Sequence, residues 1–356
     1  MTELLVGTRK GLFVLEGDTA GADTFELAAR AFSGDVVEYA IRDPRSGRYF
    51  ASVTSGFYGP RLFFTDDLSA EWKQASGPAL PEGEGKAIVR TWIIRHAEEP
   101  GVLWAGTDPA ALWRSEDDGE TWQLNRALWD QPGRPSWQPG GGGLALHSIS
   151  VWPGDPDKLA IGISAAGVWL TEDRGETWRT GYAGLAPDYV PEEERATTNA
   201  LCIHNMHRSA RRPERMFMQF HGGVYRSDDA GQSWTSVGEG LPSSFGFPLV
   251  VDPDDPDSAF VIPLVGAEDR TTPGGNVRVY ETRDAGDTWT ARRDGLPGPD
   301  AYLTVLRQAF AREGEGVAMN LFFGATSGDV FGSSDAGSTW FTVRQRLAPV
   351  TSVRVA

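Results

Sequence analysis

Apolar residues in this chain come in short runs, each cut off by Gly, Pro, Asp or Asn. Few segments keep a helical period for long. The pattern therefore predicts an all-β protein with many tight turns. One stretch, LHSISVWPGDPDKLAIGISAAGVWLTEDRGETW, shows the plan. Residues 146–152 read as a first strand and a D-P turn follows. Residues 158–163 and 167–171 read as the second and third strands, and a fourth begins at Thr177. Runs such as LALHSISV and KLAIGI are continuously apolar rather than alternating, as expected of strands covered on both faces.

The turn before each fourth strand repeats. SEDDGETW ends at Trp122, TEDRGETW at Trp178, SDDAGQSW at Trp234, TRDAGDTW at Trp289 and SSDAGSTW at Trp340. A sixth copy, TDDLSAEW ending at Trp72, keeps the Thr, Asp and Trp but loses the Gly. Successive tryptophans are 50, 56, 56, 55 and 51 residues apart. The formula is [ST]-x-D-x-G-x-[ST]-W, and each residue has a mechanical task. The Asp (Asp117, Asp173, Asp229, Asp284, Asp335) accepts hydrogen bonds from turn N–H groups. The Gly takes a positive φ without steric cost. The Ser or Thr returns to the turn, and the Trp opens the next strand with a large apolar plate.

This formula resembles the Asp-box, or BNR repeat, of sialidase-like β-propellers, and the resemblance covers nearly the whole chain. It implies blades of four antiparallel strands, with the boxes as structural elements on the face opposite any active site. Units begin near Val36, Val89, Ala145, Leu201, Phe247 and Leu303. The N-terminal LLVGTRKGLFVLEGD and TFELAAR lack a first strand, and the C-terminal PVTSVRVA reads as a lone first strand. Joined, residues 1–30 and 349–356 complete a seventh blade, with the other blades from about 36 to 346. The expectation is one seven-bladed propeller domain spanning 1–356. A six-bladed ring with a separate N-terminal hairpin is the alternative.

Charge narrows the partners. Lys plus Arg is 33 against 49 Asp plus Glu, for a net charge of −16. That argues against nucleic acid or an anionic membrane surface as the main partner. Cys202 is the only cysteine, which excludes an internal disulfide and a Cys-cluster zinc site, and fits a reducing cytoplasm. The sialidase resemblance breaks at the chemistry. Sialidases need an N-terminal Arg-Ile-Pro motif, and none occurs here; the nearest basic turn is Thr8-Arg9-Lys10-Gly11. Sialidase activity is therefore not expected. The chain looks closer to bacterial sialidase-like, glycosyl-hydrolase-like proteins without that motif.

In such a ring, the loops between second and third strands and those between blades share one face around the channel mouth. Three long insertions, 124–144, 180–198 and 265–276, fall there. So do Arg9 and Lys10, Tyr58, Asp108 and His221 in their turns. Aligned on their prolines, the first strands bring His147, His204, Thr91, Glu38 and Phe247 to equivalent positions, with Tyr302 near the seventh. Three readings of the histidines compete. His147, His204 and His221 can form a divalent-metal site. One of them can act as a general base, with Arg9 or Lys10 on an anionic substrate. Or His147 and His204 are packed between blades against backbone carbonyls. His96 and His207 read as packing or surface residues. Trp137, in the rim WQPGGGG, reads as a stacking plate. The preferred function is a propeller that binds, and hydrolyses or eliminates, a small polar ligand such as a glycoside through His147, His204, His221, Glu38 and Asp108. Arg9, Lys10, Tyr58, Trp137 and Tyr302 are its expected ligand contacts. The alternative is a non-catalytic scaffold for protein partners.

Overall fold

A computed structural model describes residues 1–19, 24–84 and 87–356. Residues 20–23, inside the expected N-terminal unit, lie outside the described residues. Among the described residues the architecture is all-β, with five four-stranded sheets and one eight-stranded sheet. Neighbouring strands are antiparallel throughout except at one place. In the eight-stranded sheet, Val305–Glu313 and Val350–Val355 meet through a single parallel pairing, Gln308 with Ser352. That contact divides the sheet into two four-stranded halves. In the second half the C-terminal strand Val350–Val355 pairs with Thr2–Thr8, from Leu4 opposite Val355 to Thr8 opposite Val350. The ends of the described chain are thus stitched together, which removes two open sheet edges.

The first strands form a closed circuit. Val36–Arg42 abuts Arg90–His96, which abuts Ala145–Trp152. The circuit continues through Ile203–Arg208, Gly246–Val251, Val305–Glu313 and Val350–Val355, and returns to Val36–Arg42. Each first strand is covered on both faces, so Ala145 through Ser150 are all buried. This accounts for the unbroken apolar runs. The core lies between sheets, where Phe50, Trp104, Trp113 and Leu146 share one cluster. Each side chain of this size contributes about 1.5–3 kcal/mol on burial. Outer strands are short and exposed, as at Lys73–Gln74. Among the described residues no helix is long and apolar enough to cross a membrane.

The five repeated turns have one geometry. In each, the last Ser or Thr gives its N–H to the Asp at 2.8–2.9 Å. The Gly N–H goes to the first Ser or Thr hydroxyl at 2.8–2.9 Å. The structure adds a feature the sequence reading lacked. The residue before each Gly (Asp118, Arg174, Ala230, Ala285, Ala336) is itself left-handed, with φ of 54° to 66°. Two successive left-handed residues give the twist that a tight antiparallel connection favours. At Asp117, Asp229 and Asp335 partial burial pushes the carboxyl up, and the turn hydrogen bonds more than offset it. At Asp173 and Asp284 the bonds from the Thr177 and Thr288 hydroxyls lead. All five end below the usual carboxylate range.

Candidate functional site

Every first strand slips register near its upstream end. Val37 pairs with Val53 and Tyr39 with Ser52, so Glu38 is the extra residue. The same slip isolates Trp92, His147 and His204. It lies between Gly246 and Leu249, between Val305 and Phe310, and at Thr351 in the remaining strands. Such bulges re-aim a side chain out of the ladder. Here they turn one ring of positions toward the axis. Glu38, Trp92, His204, Phe247, Arg307 and Thr351 all line one cavity of about 740 Å3 at the channel mouth.

The insertions complete it. The 265–276 loop brings Ala267 and Arg270, and the 124–144 loop lays Gly141, Gly142 and Gly143 over the opening. Gly143 has φ +103°, and a Cβ there would fall 2.1 Å from Asp108 Oδ2. Only glycine lets the backbone pass so close to that carboxyl. The floor is hydrogen-bonded across the axis. Arg307 Nε donates to His204 O at 3.1 Å, Asn205 Nδ2 to Arg307 O at 3.0 Å and Gln308 Nε2 to His147 O at 3.0 Å.

Charge in the cavity is opposite in sign to the chain. Arg9, Arg90, Arg270 and Arg307 face two carboxyls, Glu38 and Asp108. Arg90 Nη1 lies 3.7 Å from Glu38 Oε2 and its guanidinium covers Trp92 at 4.8 Å. Arg307 lies over Trp92 at 5.1 Å and Phe247 at 4.9 Å. Burial brings Arg307 down to about 10. Burial also pushes both carboxyls up, against the pull of Arg90: Asp108 to about 6, and Glu38 in the same direction. The site therefore holds a carboxyl that changes charge near neutrality.

Of the expected residues, Glu38, Asp108, Arg9, His204 and His221 come together in this cavity. The others do not. His147 is wholly buried, and its Nε2 sits 2.8 Å from Ser164 Oγ and 2.7 Å from Ile203 O. It packs between sheets instead of joining His204 and His221. Trp137 is buried against Trp169, ring centroids 5.4 Å apart, so it offers no stacking plate to this cavity. Lys10 is exposed on its turn, with its N–H given to Thr8 Oγ1 at 3.1 Å. Tyr58 is exposed beneath the Arg61 guanidinium at 4.8 Å. Tyr302 is exposed beside Gly275.

Five residues were missed as site members: Arg90, Trp92, Cys202, Arg270 and Arg307. Arg90 is the first residue of its strand, a position where arginine ordinarily points to solvent. Cys202 immediately precedes the strand Ile203–Arg208, and the bulge at His204 brings the two residues to the same cavity wall. Arg270 was inside an insertion already placed at the mouth. Cys202 now stands where His147 was expected: its sulfur and one ring nitrogen each of His204 and His221 all lie within 4.8 Å of one another. His204 Nδ1 donates to Gly246 O at 2.6 Å, which leaves Nε2 as the free lone pair. Burial, then the nearby Arg307, holds His204 neutral, and burial, then Arg270, lowers His221.

No family model matches the chain. An oligoxyloglucan-reducing end-specific xyloglucanase of Emericella nidulans is 27% identical over 211 residues, which is 56% of this chain and 23% of that protein. An ancestral GH74 enzyme superposes with a TM-score of 0.56 at 13% identity, over 99% of this chain and 40% of the other. YCF48 from Cyanidioschyzon merolae gives 0.55 at 13% identity, over 86% of this chain and 84% of that one. The chain thus spans about a quarter of that xyloglucanase, under half of that GH74 enzyme and most of YCF48. Sheet plan, closed circuit and these likenesses agree that the chain folds as a β-propeller.

Proposed function

We propose that the chain is a single seven-bladed Asp-box propeller, residues 1–356, whose axial cavity binds a small polar anion, with an acidic glycoside as the fitting class. The observation that carries this is the cavity's charge. Four guanidiniums meet two carboxyls that burial inclines toward their neutral forms, inside a chain of net charge −16. Such a pocket attracts a carboxylate that the rest of the surface repels. Trp92 and Phe247, already stacked under guanidiniums, supply the apolar faces that sugar rings pack on. The partial likeness to a xyloglucanase supports the glycoside class.

Asp108 and Glu38 are the groups that trade protons with such a ligand. In hydrolysis the protonated carboxyl gives its proton to the leaving oxygen, and the ionised one takes a proton from the attacking water. The test is calorimetric titration with glucuronides and the matching neutral glucosides. Glucuronides should bind, neutral glucosides much more weakly, and Arg307→Gln or Arg90→Gln should weaken glucuronide binding roughly tenfold or more. Equal binding of charged and neutral sugars, or of neither, overturns the reading.

A second reading, a docking scaffold, draws on one observation. Phe57 and Tyr58 stand 94% and 71% exposed at the tip of a rim turn. It predicts that Phe57→Ala with Tyr58→Ala abolishes partner capture and leaves sugar binding unchanged.

A further inference from the structure

We propose that Cys202, His204 and His221 form a binding site for one divalent transition-metal ion, zinc or cobalt by donor type. The inference does not depend on the anion reading, although it concerns the wall of the same cavity. Three observations carry it.

The first is convergence. One sulfur and two imidazole nitrogens lie mutually within 4.8 Å, on two adjoining segments of one sheet. The His221 N–H donates to Cys202 O at 3.0 Å, so the backbone ties the turn that carries one ligand to the residue that carries another. One thiolate and two imidazoles form the donor set of a borderline ion, with softness suited to zinc, cobalt or copper rather than magnesium or calcium.

The second is orientation. His204 gives its Nδ1 proton to Gly246 O at 2.6 Å, the outer contact by which metal-binding histidines are usually held. His221 lies against Tyr189, ring centroids 4.1 Å apart, and edge-on to Phe245 at 5.1 Å. Both rings are thus fixed before any ion arrives, and Phe245 and Phe247 pack around His204 at 5.1 and 4.8 Å. The site is built by its second layer as well as its first.

The third is access. Three protein ligands leave a tetrahedral ion one open position, and all three residues line the 740 Å3 cavity. Arg270 and Arg307 line it too, and they oppose a bare cation. A thiolate from Cys202 cancels one positive charge, and an anion on the open position cancels another. Metal and anionic ligand should therefore strengthen each other's binding.

The test is cobalt(II) titration of chelator-stripped, full-length protein, followed by absorption, with zinc displacement as the second measurement. The wild type should bind one equivalent and show an intense thiolate-to-cobalt charge-transfer band. Zinc should bleach it. Cys202→Ser should lose that band. His221→Ala and His204→Asn should weaken binding by more than the roughly 10–100-fold typical of outer-layer changes. His147→Ala should leave the spectrum and affinity unchanged, because that ring faces Ser164 and Ile203. Circular dichroism on each variant shows that the fold is retained. A wild type that binds no cobalt, a Cys202→Ser protein with an unaltered band, or a His147→Ala protein that loses it overturns the proposal. Arg307→Gln separates the two proposals: it should retain the cobalt band while losing glucuronide binding.

Discussion

The aspartates of the repeated turns and the carboxyls of the axial cavity belong to one ring of sheets, yet they are opposite in chemistry. Asp229 accepts from Ser227 Oγ at 2.8 Å, Ser233 N at 2.9 Å and Ser233 Oγ at 2.6 Å. Its lone pairs are occupied and its ionised form is favoured. Asp108, half-buried, and Glu38, buried, sit where the charged form is penalised. The turn spends its carboxylate on the backbone that surrounds it. The cavity keeps its carboxyls available. In this ring, sequence positions that repeat hold the architecture, and the equivalent positions that vary hold the chemistry. The bulged residue shows this best, since one backbone site carries Glu38, Trp92, His147, His204 or Thr351 in different sheets.

The largest expected effect tests the turn side. Asp229→Ala removes an acceptor that serves two hydroxyls and a backbone N–H, and leaves that N–H without its partner. It should destabilise the fold by about 3 kcal/mol in urea unfolding, with ligand binding by the folded protein unchanged. The pH dependence follows from the depressed carboxyl. Its stabilisation is full above the ordinary carboxylate range and is lost as pH falls through the lower folded value. A variant as stable as the wild type would remove the idea that these aspartates hold the turns.

A smaller effect tests the boundary between the two regions. Gly143→Ala places a Cβ 2.1 Å from Asp108 Oδ2 on a backbone with φ +103°. The loop must shift or the carboxyl must turn away. The expected cost is about 2 kcal/mol of stability, together with a clear loss of glucuronide affinity. Unchanged affinity would mean that the glycine rim does not shape the cavity.

The two regions also differ in how far the sequence revealed them. The bonds that the Asp carboxylate and the first Ser or Thr hydroxyl accept inside a repeated turn join residues at most four apart, so that part of its logic can be read along the chain. The cavity depends on choices the chain does not spell out. Counting back from prolines placed Thr91 at the mouth, but the bulge in that strand turns out Trp92 instead. His147 and His204 occupy matching bulges, yet only His204 faces the cavity. Ser164 and Ile203 O supply His147 with polar partners between sheets, whereas His204 is held by Gly246 O on its other side. Arg307 was invisible as a site residue because its partners, His204 O and the Trp92 and Phe247 rings, come from three other sheets. Glu38, Asp108, Arg9 and His221 were legible because turns and strand starts of a ring must converge on its axis.

The smallest effect is the sharpest, because its sign is reversed. Asp108 is pushed up to about 6 by burial, with Arg90 pulling against it. The folded state therefore holds its proton more tightly than the unfolded chain does. The contribution to stability is fully present below the ordinary aspartate value near 3.9 and is lost as pH rises through about 6. At pH 7 the ionised carboxylate weighs against folding, so Asp108→Asn should stabilise the protein. Solvent reaches part of this group, so the gain is on the order of 1 kcal/mol rather than the full linkage value. The variant should also lose the fall in stability that the wild type shows between about pH 4 and 6. Aspartate to asparagine would then destabilise at the turns and stabilise at the cavity, within one chain. Urea unfolding of Asp108→Asn and Asp229→Asn at pH 5 and pH 7 reads both signs. If both variants lose stability equally at pH 7, the Asp108 carboxylate is structural like the others and the cavity holds no carboxyl set aside for proton transfer.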